Sequence, residues 1–389
     1  MSMALKRFDW LSFAAMLVLI ALGTVAIWSA GNARAEAVFH GMWRNHLVTA
    51  VAGLALYFTL AIADYRRYLG ALALPAYVVS LAFLVAVLIF GSTVYGGRRW
   101  LWFFQPSEIA KVSVIALVAE LFGSAGGRIA AMRSSFRAFA LAAALVGLPA
   151  ALILAEPDLG TALTLAPAVL VMLLAAGVWR RGLVAIVALG GVMVLAVLGA
   201  VYEAEKPGVS QERRERILRY VPLKPHQLRR VKVFLFPESD IAGAGYNLRQ
   251  AKISIGSGGF SGKGIGKGET NHLKYLPQAI SMNDFIFCVY AEETGFVGSS
   301  ALLVVFGVLL LGGCRAAFVA RDDRGRLFAL GFSVLLFAHV YINIAMSIGL
   351  VPITGLPLPF ISSGRTFLVA AMCGLGIVQS ISIHKEKLI

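Results

Sequence analysis

The sequence predicts an all-α membrane protein of ten spanning helices, with both termini on one side and one long loop on the other. Three observations carry this expectation. Hydrophobic residues make up 59% of the 389-residue chain and charged residues only 14%, with a mean hydropathy of +0.80, far from the balance of a soluble domain. Apolar windows of about 20 residues, the length that crosses ~30 Å of hydrocarbon, recur along the chain. Basic residues gather on alternate connections, as the positive-inside rule requires.

The first window, residues 10 to 30, follows Lys6 and Arg7 and precedes "NARAEA". That order loosely mimics a secretory signal, but the apolar stretch is too long for one and reads as the first anchor. Windows at 46 to 63 and 69 to 90 follow, and then 107 to 124, whose first turns hold Glu108 and Lys111. Three more run 138 to 155, 160 to 178 and 182 to 203. A loop of residues 204 to 283 separates these from the last three, at 284 to 312, 327 to 350 and 361 to 383. A single integral membrane domain of residues 1 to 389 is expected, with the long loop inside it.

The net charge of +15 would suit a nucleic-acid partner if the cations formed a patch. They do not. With the N-terminus in the cytoplasm, Lys6, Arg7, Arg66, Arg67, Arg128, Arg133, Arg137, Arg180, Arg181, Arg315, Arg321, Arg324, Arg326, Lys385 and Lys387 all face inward. The short outer loops keep Arg34, Arg44, Arg98 and Arg99. The long loop carries its own basic set, which long loops translocate regardless. Its stretch "ERRERILRYVPLKPHQLRRVKVFLFP" suits a segment lying on the membrane surface, or a solvated basic loop. Cys288, Cys314 and Cys373 show no metal or disulfide spacing and read as packing residues. No repeat of 20 to 50 residues is visible, which argues against solenoids and propellers.

Charged groups near the outer ends of spans are the candidate site. In "QPSEIAK", Pro106 suits a first helical turn, and Glu108 and Lys111 share a face three residues apart. They are either an internally neutral packing pair or a functional pair, because ionisable groups inside a span are costly. In "AEPDLGTAL", Asp158 is placed to cap a helix. Asp284, in "SMNDFIFCVYAEETGF", heads another descending span, so Glu108, Asp158 and Asp284 reach one level from three segments. Glu292 would sit about 12 Å deeper than Asp284 on a straight helix, and Glu292 and Glu293 read as packing or gating groups bonded to neighbouring helices. "IGSGGFSGKGIGKG" is not a phosphate loop, since Gly264 follows Lys263 where that motif needs Ser or Thr; its glycines suit either an anion-binding nest or a hinge. Arg365 in "LPLPFISSGRTF" needs a counter-charge, either one of these carboxylates or a substrate phosphate, or else snorkels to the interface.

Together these stretches, with "RRWLWFFQPSEIAK", "FLFPESDIAGAGYNLRQAKISIGSGGFSGKGIGKG", "YLPQ", "NDFIFCVYAEETGFVG" and "ITGLPLPFISSG", resemble in order the shape, elongation, division and sporulation family of peptidoglycan glycosyltransferases. The wording around "GAGYN" is closer to its elongation-type than to its division-type members. The resemblance implies ten helices in the bacterial cytoplasmic membrane and a site facing the exterior. The substrate it implies is lipid II, and the partners are a class B penicillin-binding protein and other elongation-complex membrane proteins.

The family's essential outer-loop acid falls on Asp284. Its cavity Glu, Lys and second Asp fall on Glu108, Lys111 and Asp158, and the Arg of its "RW" motif falls on Arg99. Asp284 is then the expected base, and Arg99, Lys111, Lys263 and Arg365 are the expected partners of the departing pyrophosphate. No tightly bound cofactor is expected, with a divalent cation, Mg or Mn, left open. Departures from the family wording are Gln278, Asn283 and "SSGRTF". A lipid II transporter and a non-catalytic scaffold are the competing readings.

Overall fold

The computed structural model describes residues 6–32, 37–94, 97–102, 104–124, 129, 132–206, 208–240, 243–269 and 276–385. Arg34, Arg128 and Lys387, which enter the charge pattern, lie outside them. Helices occupy every apolar window. In chain order they are α1 (Trp10–Asn32), α2 (Met42–Ile62), α3 (Tyr65–Phe90), α4 (Pro106–Gly123), α5 (Phe136–Ala155), α6 (Leu159–Ala175) and α7 (Arg180–Ala204). After the long loop come α12 (Ile286–Phe318), α13 (Asp323–Ser347) and α14 (Arg365–Ile383). Eight of these are long and apolar enough to span a membrane among the described residues. The other two are α4, interrupted by Glu108, Lys111 and Glu120, and α6, which is 17 residues long.

Local chemistry fixes the helix starts. Pro106 occupies the first turn of α4, where its missing N–H is harmless. Asp64, Ser135, Asp158 and Asp322 each accept a backbone N–H at the head of α3, α5, α6 and α13, satisfying donors that helices leave orphaned. Helices α13 and α14 form the buried centre, whereas α7 shows almost its whole surface to the surroundings. One end of the bundle is tied by ion pairs: Asp9 with Arg315 at 2.5 Å, Glu120 with Arg324 at 3.2 Å and Asp323 with Arg133 at 3.2 Å. The opposite end carries the candidate site.

The long loop is not structureless. It folds into α8 (Gln211–Leu218), α9 (Pro225–Leu235), α10 (Ala244–Ser257) and α11 (Gln278–Met282). A hairpin of β1 (Ser92–Val94) and β2 (Gly97–Trp100) precedes α4, so the fold is not wholly helical. The last span begins at Arg365 rather than 361, because residues 351 to 364 form an irregular segment over the site.

Helix α12 breaks at Gly295, whose φ of +66° leaves the helical region. The glycine-rich segment folds back to repair the break. Phe296 N donates to Gly259 O at 2.9 Å and Val297 N to Phe260 O at 3.1 Å, while Lys263 N and Gly264 N donate to Glu292 O and Glu293 O at 3.0 and 2.9 Å. Irregular backbone at membrane depth is tolerated only when repaired in this way. Gly262 must be glycine here: its φ is +79°, and a Cβ would stand 2.2 Å from Glu293 O.

The break also corrects the expected depth of Glu292. Asp9 pairs with Arg315 and Ser29 donates to Glu293 Oε1, so α1 and the far part of α12 run side by side for about 30 Å. On α13, Asn343 lies about 28 Å along from Arg324 and bonds the backbone of Asp284. Asp284 and Glu293 therefore share one level. The first turns of α12 run across the end of the bundle instead of descending into it.

Candidate functional site

Four elements converge at the end opposite the ion-paired one. Strand β2 brings Arg99, whose Nη2 donates to Pro157 O and whose Nη1 lies 3.8 Å from Asp158 Oδ1. Asp158 is held hard. Its carboxylate accepts from Thr161 N at 3.2 Å, Thr161 Oγ1 at 2.8 Å and Gln105 Nε2 at 3.0 Å. Capping and site membership are thus one role, because the oxygens that cap α6 also face Arg99.

Asp284 stands on the turn between α11 and α12. Asn343 Nδ2 donates both to its backbone oxygen at 2.9 Å and to Leu356 O at 2.6 Å, pinning the turn and the 351–364 segment to α13. Arg230 of α9 completes the group, its Nη1 donating to Thr354 O at 2.8 Å. Burial pushes the Asp284 carboxyl up to about 6; Arg230 and then Arg99 pull it down, and Asp158 pushes it up. Asp284, Asp158, Arg99 and Arg230 therefore act on one another as one charged cluster. Lys224 adds a further cation nearby, and burial and then Arg230, Lys224 and Arg99 lower the His226 imidazole, which favours its neutral form.

The other expected site residues divide. Glu108 and Lys111 form a fully buried pair at 2.7 Å. Lys111 Nζ also bonds His339 Nε2 at 2.7 Å and lies 4.9 Å from the Phe367 ring, on which His339 stacks. Lys111 is wholly buried against Glu108 and His339, so it stands beneath the charged cluster rather than at its face. Lys263 does not reach the pocket: it pairs with Glu292 at 2.8 Å and Glu269 at 3.4 Å. Glu292 is bonded by Ser254 of α10, Lys263 and the Glu269 N–H, and Glu293 by Ser29 of α1, so both bond neighbouring helices as expected while Glu292 also ties the folded-back loop. Arg365, the exposed first residue of α14, has no carboxylate partner among the described residues.

Two groups were missed from sequence. Arg230 hides in a run of cations, and only the fold of α9 over Thr354 singles it out. Glu156 adjoins the "PD" step, fully buried. Three of the departing residues are bonded to one another: Ser362 Oγ donates to Asn283 O at 2.6 Å and Ser363 Oγ to Asn283 Oδ1. Among the described residues no three His, Cys, Asp or Glu side chains are grouped to hold a metal.

Acids and guanidiniums from separate segments thus meet at one end of a polytopic helical bundle. The chain belongs to the cell cycle protein family of FtsW, RodA and SpoVE, whose family model matches residues 9–387. It is 35% identical to the peptidoglycan glycosyltransferase MrdB of Escherichia coli (strain K12), over 96% of this chain and 93% of the relative. The peptidoglycan glycosyltransferase RodA of Treponema pallidum is 30% identical over 97% of this chain and 98% of its own.

Among solved structures, a chain from a peptidoglycan synthase complex described as coordinating polymerization and crosslinking matches with a TM-score of 0.73 and 30% identity, covering 97% of this chain and 99% of that one. The rod shape determining protein RodA of Thermus thermophilus matches with a TM-score of 0.65 and 28% identity over 98% of both chains.

Proposed function

We propose that this protein is a peptidoglycan glycosyltransferase that polymerises lipid II during cell-wall elongation, working beside a class B penicillin-binding protein. The observation that supports it most is the meeting of Asp284, Asp158, Arg99 and Arg230 from four separate elements. The ten helices cross the bacterial cytoplasmic membrane with both termini inside, since Arg133, Arg315 and Arg324 cluster at the end away from the pocket. The pocket then opens to the exterior.

In the reaction, the C4 hydroxyl of one lipid II attacks the anomeric carbon of the growing chain. The C–O bond to phosphate breaks, and undecaprenyl pyrophosphate leaves with the bonding electrons. An α-linked donor giving a β-1,4 product needs a single inverting displacement, which requires one base. Asp284 takes the hydroxyl proton, its basicity strengthened by burial that lifts it to about 6. Arg99 and Arg230 offset the charge that grows on the leaving diphosphate, a task suited to planar guanidiniums. A resident divalent cation fits poorly, because the carboxylates that would ligate it already face those guanidiniums.

A transporter would need a polar path through the bundle. The buried Glu108–Lys111–His339 chain is held together inside the protein by an ion pair and a hydrogen bond, which favours the enzyme over a polar path. The test supplies lipid II only to the pocket side of proteoliposomes holding the protein and its transpeptidase partner. Polymer is expected there without any lipid crossing; lipid translocation without polymer would overturn the proposal.

A further inference from the structure

Glu156 ends α5 directly beside the site, and the side chain has no exposure. Both of its carboxyl oxygens lack a hydrogen-bond partner, and so does Arg99 Nε, also buried. Arg99 and Asp158 are the charges that act on Glu156. An acceptor without a donor and a donor without an acceptor thus belong to two groups whose charges act on each other. The rest of the Arg99 guanidinium is engaged with Pro157 O and Asp158. Further out, Arg230 and His226 face Arg99, and Glu108 acts on Asp158 from α4.

We propose that Glu156 is a positioning residue for Arg99: uncharged, it leaves the guanidinium on Asp158 and the cavity, and ionised, it takes the Nε–H and draws Arg99 away from the anion it serves. This rests on the reading that Arg99 holds a diphosphate. Burial, reinforced by Asp158 and opposed by Arg99, pushes the Glu156 carboxyl up to about 8, so the neutral form dominates at pH 7 and gives way above pH 8. No bond to substrate is involved; Glu156 acts only through Arg99.

The test compares wild type and Glu156→Gln, each full-length and reconstituted with the partner transpeptidase, for lipid II polymerisation from about pH 6 to about pH 9. Wild type should lose activity above about pH 8, and Glu156→Gln, which keeps the neutral shape, should work at pH 7 and lose that alkaline limb. An unchanged limb in Glu156→Gln, or a wild type without one, overturns the proposal. Difference infrared spectra give a second readout that needs no turnover. A protonated-carboxyl signal at neutral pH that Glu156→Gln removes supports a neutral Glu156, and its absence overturns it. Polymer from wild type with no change in either readout would fault this inference alone. No polymer from wild type would fault the glycosyltransferase reading instead.

Discussion

Arg230→Gln should raise the acidity threshold of the reaction. An ideal Cβ on Gly355 would stand 3.4 Å from Asp284 Oδ2 and 3.9 Å from Arg230 Nη2, so the two charges lie within about 7 Å of each other. At that distance a unit charge contributes roughly 0.6 kcal/mol in a water-like medium and roughly 2 kcal/mol at an effective dielectric of 20. Converted at about 1.4 kcal/mol per unit, this is roughly 0.4 to 1.4 pH units.

The sign is set by what Arg230 does now: it holds the Asp284 carboxyl down against burial, so removing it lets the carboxyl rise above about 6. A base must be ionised to accept a proton. Wild-type activity should therefore be full at neutral pH and fall as pH drops through about 6, and in Arg230→Gln the fall should begin about one unit higher. The assay is the rate of lipid II polymerisation against pH in detergent with the partner transpeptidase. Leaving-group support is also lost, so the neutral-pH rate should drop as well, but only a movement of the acid limb reports on Asp284. A limb that stays in place or moves down would refute the reasoning.

Other consequences are simpler to read. Lys111→Met strands Glu108 without its buried partner and should cost about 3–5 kcal/mol of stability, seen as a lower melting temperature. The double change with Glu108→Gln should recover part of the loss, and an unchanged melting temperature in the single variant would mean that the pair is solvated. Gly262→Ala forces a side chain into a left-handed backbone and against Glu293 O at 2.2 Å. It should destabilise by more than the ~1–2 kcal/mol of the backbone term alone. Gly190→Ala on α7, whose added Cβ meets nothing within 4 Å, should be neutral or stabilising by up to ~1 kcal/mol; equal effects of the two would deny that the folded-back loop is packed.

The helices were legible because an apolar window about 20 residues long has few alternatives in lipid. Asp158, Asp284 and Arg99 were legible because a charge at the end of such a window is expensive enough to need a reason. The errors share a cause: each depended on backbone that does not continue its element. Glu292 looked deep because nothing in "EETGF" announces that Gly295 adopts a φ of +66°. Lys263 looked like a diphosphate ligand because its partner lies 29 residues further on, reached only after the glycine-rich segment folds back. Arg230 escaped notice among neighbouring cations, since charge type alone cannot say which of them turns inward over Thr354. Glu156 was overshadowed by the capping carboxylate two positions away. Asn283 and the serines at 362 and 363 depart from the family wording 79 and 80 residues apart, and only their mutual hydrogen bonds show them to be one local solution.

The most direct measurement is lipid II polymerisation by Asp284→Asn, purified with its transpeptidase partner and matched to wild type in melting temperature. Asparagine keeps the size and position of the side chain on its pinned turn but cannot take the hydroxyl proton. The account predicts folded protein that makes no glycan polymer. Polymer at the wild-type rate would contradict it.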